Sequence, residues 1–157
     1  ISKILSFPKW LINHSYWSLF KNASGQATNL SLPTGCKQQS KCNAFFIGSE
    51  SGLVGKKKGT LYSAAKFGLR GFCQALRDEV ATSGIRVCLL NPGFVRTPFF
   101  ESLNFEPKET ETNAIEPEDI AKIILDLLHT RIGTNIDEVN LSPTTKSLNF
   151  KPVKKEN

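Results

Sequence analysis

From Ala44 onward, apolar and polar positions fall into short runs and helical periods that follow one another in a regular order. Ala44-Phe45-Phe46-Ile47 is an apolar run that stops at Gly48-Ser49-Glu50-Ser51-Gly52, the pattern of a buried parallel strand opening into a loop. Beyond the Gly- and Lys-rich turn 55–59, the spacing predicts a helix over 60–82. Leu61, Ala65, Leu69, Phe72, Ala75, Leu76 and Val80 keep close to a 3.6-residue period, and Gly84 ends it. Ile85 to Leu90 is a second β-rich apolar run, closed by Asn91-Pro92-Gly93. A strand, a helix and a strand in this order form the βαβ unit of a parallel sheet, and place the chain in the α/β class.

Residues 98–113 read as a loop with aromatic content (Phe99, Phe100, Phe105). Glu116-Pro117-Glu118-Asp119 then starts a helix, with Pro in the first turn and acids meeting the positive end of the helix dipole. That helix continues through Ile120, Ile123, Ile124, Leu127 and Leu128 to about Arg131. Residues 136–141 alternate as a last strand, and 151–157 form a polar tail.

Composition changes this picture at one end of the chain only. The 157 residues carry a formal charge of +6, which by itself suggests a nucleic-acid partner or an acidic surface. Residues 1–44 hold five Lys and no Asp or Glu, whereas 45–157 hold fifteen basic and fourteen acidic side chains. The excess therefore belongs to a segment that also contains both tryptophans, Trp10 and Trp17, and lacks the alternation seen further on. No nucleic-acid partner is expected. A membrane span needs about 20 predominantly apolar residues, and the most apolar early stretch is broken by Pro8, Lys9, Asn13 and His14. Nor is there a convincing secretory signal, so a cytoplasmic location is the default expectation. Cys36, Cys42, Cys73 and Cys88 follow no zinc-ligand spacing, and Cys73 and Cys88 fall within apolar patterns as buried thiols. No metal is expected. The chain begins at Ile1 and has no Met, which suggests that its true start lies elsewhere.

The chemistry-bearing residues cluster in the βαβ unit. Tyr62-Ser-Ala-Ala-Lys66 places a phenol and an ammonium at i and i+4, on one face of the helix near its beginning. Two common residues at that spacing recur by chance, so the pair alone is a weak signal. Its surroundings strengthen it. Ser49 lies thirteen residues before Tyr62 at the carboxyl end of one strand, and Asn91-Pro92-Gly93-Phe94-Val95-Arg96-Thr97 follows the next. Ligands of open parallel sheets bind outside these carboxyl ends.

With these residues the sequence resembles the short-chain dehydrogenase/reductase family, in particular compact members of the 3-hydroxy acid and serine dehydrogenase type. The resemblance covers about residues 44–150. It rests on Ile47-Gly48-Ser49, Tyr62 to Lys66, Asn91 to Thr97, Pro117-Glu-Asp-Ile-Ala121 and Asp137 to Thr144, in family order and spacing. It implies a Rossmann-like, doubly wound parallel sheet and hydride exchange between NAD or NADP and a small alcohol or carbonyl substrate. By resemblance, Ser49, Tyr62 and Lys66 are catalytic. Tyr62 and Lys66 also bind the cofactor, with Pro92, Gly93, Val95 and Thr97 around its nicotinamide. A homo-oligomer is implied in the same way.

The residue types suit that chemistry. A tyrosine with a reference pKa of about 10 must exchange a proton near neutral pH, and an adjacent ammonium is expected to lower it. A serine hydroxyl can hydrogen-bond a carbonyl oxygen as charge develops there.

Other family parts do not occur. There is no Gly-x-x-x-Gly-x-Gly turn to receive a pyrophosphate, no Asn-Asn-Ala-Gly stretch and no determinant separating NAD from NADP. Residues 1–43 read as a non-matching basic segment, as a frameshift or a fragment would produce, joined to the carboxyl half of the domain at 44–150. Two functional expectations follow: an oxidoreductase whose activity in this chain is in doubt, or a noncatalytic fragment or pseudoenzyme without cofactor binding.

Overall fold

The structure, a computed structural model, describes residues 42–151. Strand β1 (Cys42–Ile47) leads through a short 3-10 turn (Glu50–Gly52) to helix α1 (Thr60–Val80), and strand β2 (Ile85–Pro92) follows. The chain continues through strand β3 (Phe105–Pro107), helix α2 (Pro117–His129), strand β4 (Glu138–Leu141) and strand β5 (Leu148–Phe150). β1, β2 and β4 form a parallel sheet with β2 in the centre. Gly84 carries the left-handed backbone (φ 66°) that ends the α1 segment.

Because successive strand residues point to opposite faces, the apolar runs of β1 and β2 divide between two cores. Phe46, Val87 and Leu89 pack with Cys73, Leu76 and Val80 of α1 on one face. Phe45, Cys88 and Leu90 pack with Ile124 of α2 on the other. A strand covered on both sides has no reason to alternate, which is why 85–90 reads as one continuous apolar run. Each fully buried side chain such as Leu89 or Leu90 contributes about 1.5–3 kcal/mol by leaving water.

Helix α2 starts as its sequence dictates. Glu116 and Asp119 form a reciprocal capping box, Pro117 occupies the first turn, and Glu118 and Asp119 face the positive end of the dipole. Two expectations are corrected. Leu61 fits the helical period but is 87% exposed and takes no part in the core that α1 forms through Leu69, Phe72, Cys73, Leu76 and Val80. The segment 98–113 is not simply a loop, since Phe105, Glu106 and Pro107 pair antiparallel with Phe150, Asn149 and Leu148. Strands this short leave no periodicity to detect, and Pro107 reads as a strand breaker.

Asn113, itself buried, fastens this region. Its Oδ1 accepts from Thr145 Oγ1 (2.9 Å) and Ser147 N (2.8 Å), while its amide donates to Thr110 Oγ1. Lys151 adds its backbone N to Asn104 O (2.9 Å) and its Nζ to Phe100 O (2.7 Å). Cys73 and Cys88 are free and buried, and Cys42 is disulfide-bonded. Among the described residues, no group of His, Cys, Asp and Glu is arranged to hold a metal, and no helix is long and apolar enough to cross a membrane. Of the basic segment 1–43, residues 1–41 lie outside the described residues, while Cys42 and Asn43 belong to β1, which starts two residues before the expected boundary; of the tail 151–157, all but Lys151 lies outside them.

Candidate active site

At the carboxyl end of β1 the chain must turn sharply, and glycine makes this possible. Gly48 N donates to Leu90 O (2.7 Å), which brings the backbone so close to β2 that a Cβ at 48 would lie 2.3 Å from Asn91 Oδ1. Gly52 has the same function toward α1, where a Cβ would lie 2.9 Å from Lys66 O. Between them Ser49 is buried. Its Oγ accepts from Ser51 N (3.2 Å), capping the 3-10 turn, and shares a side-chain hydrogen bond with Tyr62.

Tyr62 and Lys66, one helical turn apart, face this serine. Lys66 Nζ donates to Ile47 O (3.2 Å) and stands 5.6 Å from the centre of the Tyr62 ring. Ser49, Tyr62 and Lys66 are thus brought together from β1 and α1, as the sequence leads one to expect. Burial pushes the Tyr62 phenol up from its ordinary value, and the hydrogen bond with Ser49 works against this. Burial also brings the Lys66 ammonium down to about 8. The expected lowering of the phenol by Lys66 is therefore not what dominates. Removal from water favours the neutral form of both groups, and the opposing influence on Tyr62 comes from Ser49. Tyr62 as a whole still keeps 39% of its surface exposed.

Pro92 and Gly93 end the neighbouring strand, and Gly93 N continues the ladder to Leu141 O (2.8 Å). Val95 forms an isolated bridge with Ile115, and Thr97 Oγ1 donates to Val95 O (3.4 Å). The loop carrying them is braced by Arg96, whose Nε donates to Glu116 Oε1 (2.7 Å). Phe99, half exposed, leans against Tyr62 with ring centres 6.2 Å apart, and continues into Phe100, Phe94 and Phe105. One side of the cleft is therefore aromatic.

Sequence reasoning missed two further groups here. Asn91, almost fully buried, donates through Nδ2 to Asn140 Oδ1 (3.0 Å) and so locks β2 to β4 beside Gly48. The Glu50 carboxylate lies against Gly93 and pairs with Lys146 Nζ at 2.5 Å and Lys56 Nζ at 4.0 Å. Asn91 could have been found from its place in the turn motif. Lys146 carries no local signal.

This arrangement, a serine, a tyrosine and a lysine at the carboxyl ends of a parallel sheet covered by helices, defines the Rossmann-like α/β class of oxidoreductase domains. The chain belongs to the short chain dehydrogenase family, which matches residues 20–108 and so reaches to the amino-terminal side of residue 44. It is 33% identical over 112 residues to an uncharacterized oxidoreductase of Staphylococcus aureus (strain USA300), covering 71% of this chain and 46% of that protein. Among solved structures it resembles a betaketoacyl-[ACP] reductase from Bacteroides thetaiotaomicron, at 29% identity and TM-score 0.56 over 68% of this chain and 42% of that one. It shares its fold with an alcohol dehydrogenase from the archaeon Thermococcus sibiricus complexed with 5-hydroxy-NADP. That match has 22% identity and TM-score 0.58, over 68% of this chain and 44% of that one. The chain spans about half the length of the curated relatives it matches.

Proposed function

We propose that residues 44–150 form the carboxyl half of an NAD- or NADP-dependent oxidoreductase that interconverts a small alcohol and its carbonyl compound. The observation that carries this reading is the meeting of Ser49, Tyr62 and Lys66 at the end of β1. A nicotinamide cofactor, when bound, supplies or accepts the hydride. The residues present fit its nicotinamide end. Lys66 has only one described hydrogen-bond acceptor, Ile47 O, so its ammonium retains donors for a ribose. Pro92, Val95 and Thr97 would border the carboxamide. No residue of the chain fits the pyrophosphate in the family's manner, because the Gly-rich turn does not occur in the sequence.

In the reducing direction the neutral Tyr62 phenol gives its proton to the carbonyl oxygen as it becomes an alkoxide. The Ser49 hydroxyl hydrogen-bonds the same oxygen. Burial favours the protonated phenol, so proton donation is the role the site is prepared for at neutral pH. The half-exposed Phe99 beside Tyr62 favours a substrate with an apolar portion.

The missing pyrophosphate turn favours a second reading, a noncatalytic fragment that binds no cofactor. Titrating the purified full chain with NADH and NADPH, with nicotinamide fluorescence as the signal, separates the two. The oxidoreductase reading expects saturable binding, and turnover of a carbonyl panel that Tyr62→Phe abolishes while binding persists. Absence of binding to either dinucleotide leaves the fragment reading.

A further inference from the structure

Ser49 owes its aim at Tyr62 to a turn of three residues, and that turn is fixed unequally on its two sides. Gly52 N closes the turn on Ser49 O (2.9 Å); toward α1 it is held by Gly52 seated on the Lys66 backbone and by Lys56 Nζ, 4.0 Å from the Glu50 carboxylate. Toward β4 it is held by the side chain of Glu50, the residue after Ser49. Its carboxylate crosses Gly93 to meet Lys146 Nζ at 2.5 Å. Lys146 has a firm mounting, since Thr145 N donates to Thr112 O (3.0 Å), Thr145 Oγ1 to Asn113 Oδ1, and Ser147 N to Asn113 Oδ1. The residues on either side of Lys146 are thus tied to the aromatic loop region, and the Glu50 carboxylate is only 16% exposed.

We infer that Glu50 is a positioning residue: clamped by Lys146 across Gly93, it holds the turn that directs the Ser49 hydroxyl to Tyr62. This rests on the reading of Ser49 and Tyr62 as the reacting pair. It adds that the segment after β4 sets the geometry of both. An ion pair with half-exposed Lys146 has little to contribute to stability, so its effect is expected in geometry instead.

The test is the tyrosine Cζ resonance of the full chain, labelled with carbon-13 at that atom and recorded at neutral pH. Tyr62→Phe assigns the signal against Tyr16, and Ser49→Ala gives the position of a phenol without its serine. Glu50→Gln removes a negative charge and Lys146→Met a positive one, so a pure field effect moves the Tyr62 resonance in opposite directions. Positioning instead moves both in the same direction, toward the Ser49→Ala value, and Lys146→Arg restores the wild-type position. Opposite movements, or resonances that stay at the wild-type position in both variants while Ser49→Ala moves, overturn the inference. If Ser49→Ala itself leaves the Tyr62 resonance in place, the pairing behind the proposed function fails as well. Amide spectra of each variant establish that it is folded. Should Lys146→Met not fold, Lys146→Gln gives the same comparison.

Discussion

Replacing Gly48 by alanine tests the closest approach in the sheet. The added methyl would lie 2.3 Å from Asn91 Oδ1, 3.0 Å from Leu89 Cδ1 and 3.2 Å from Leu90 O. The backbone of β2 cannot retreat, because it is the central strand and is covered on both faces. Asn91 must give way, and its amide then loses the 3.0 Å bond to Asn140 across the β2–β4 seam. Overpacking of a tight interior costs about 1–3 kcal/mol and a lost buried hydrogen bond about 1 kcal/mol more, so Gly48→Ala should destabilise the chain by about 3 kcal/mol. Urea unfolding followed by far-UV circular dichroism measures this directly. A double-mutant cycle sharpens it: with Asn91→Ala in the background, the cost of Gly48→Ala should fall by at least about 1 kcal/mol, because the obstructing oxygen is gone. A Gly48→Ala cost below about 0.5 kcal/mol, or one that Asn91→Ala leaves unchanged, would refute the reasoning.

Three further outcomes can be checked. The Lys66 ammonium titrates at about 8 when folded against 10.5 ordinarily, so between these values the unfolded chain binds the extra proton. The penalty of burying the charge is fully present below about pH 8 and is relieved as pH rises. Lys66→Met should therefore flatten the increase in stability from pH 8 to 10, by no more than about 3 kcal/mol since the side chain is partly exposed; an unchanged slope in urea titrations contradicts the shift. Burial pushes the Cys73 and Cys88 thiols up to about 12 and about 11, so both should resist a thiol reagent at pH 8 until urea unfolds the chain; fast labelling of the native protein would contradict their burial. Asn113→Ala leaves Ser147 N without its acceptor, and exchange of that amide should speed up by about tenfold or more, read by hydrogen exchange and NMR.

Much of the parallel unit was legible because burial on two faces and helical periodicity both leave marks in local sequence. Phe45 and Phe46 serve opposite cores, yet a run of apolar residues around them is all that a strand requires to be recognised. Ser49, Tyr62 and Lys66 were legible because strand end and helix start fix their mutual placement. Glu50 and Lys146 were not, since their meeting depends on how the segment after β4 is tied down by Asn113, a contact between residues far apart in the chain. The pairing of β3 with β5 escaped for the same reason, with a proline inside it as further disguise. For the protonation balance of the site, proximity of Lys66 suggests a lowered phenol, whereas burial of Tyr62 pushes it up.

The pairing of 105–107 with 148–150 also bears on the order in which the molecule is made. A ribosome delivers β1, α1 and β2 before the segments that follow them, and β1 and β2 pair with each other across the α1 crossover without needing those later segments. The aromatic loop emerges next and meets Tyr62 through Phe99, but its partners at 145–150 are still to come. Only when Thr145, Ser147 and the strand after them have been released can Asn113 and β3 find their partners. The scaffold that carries Tyr62 and Lys66 can thus be in place before the wall that borders them, and the cleft is finished last.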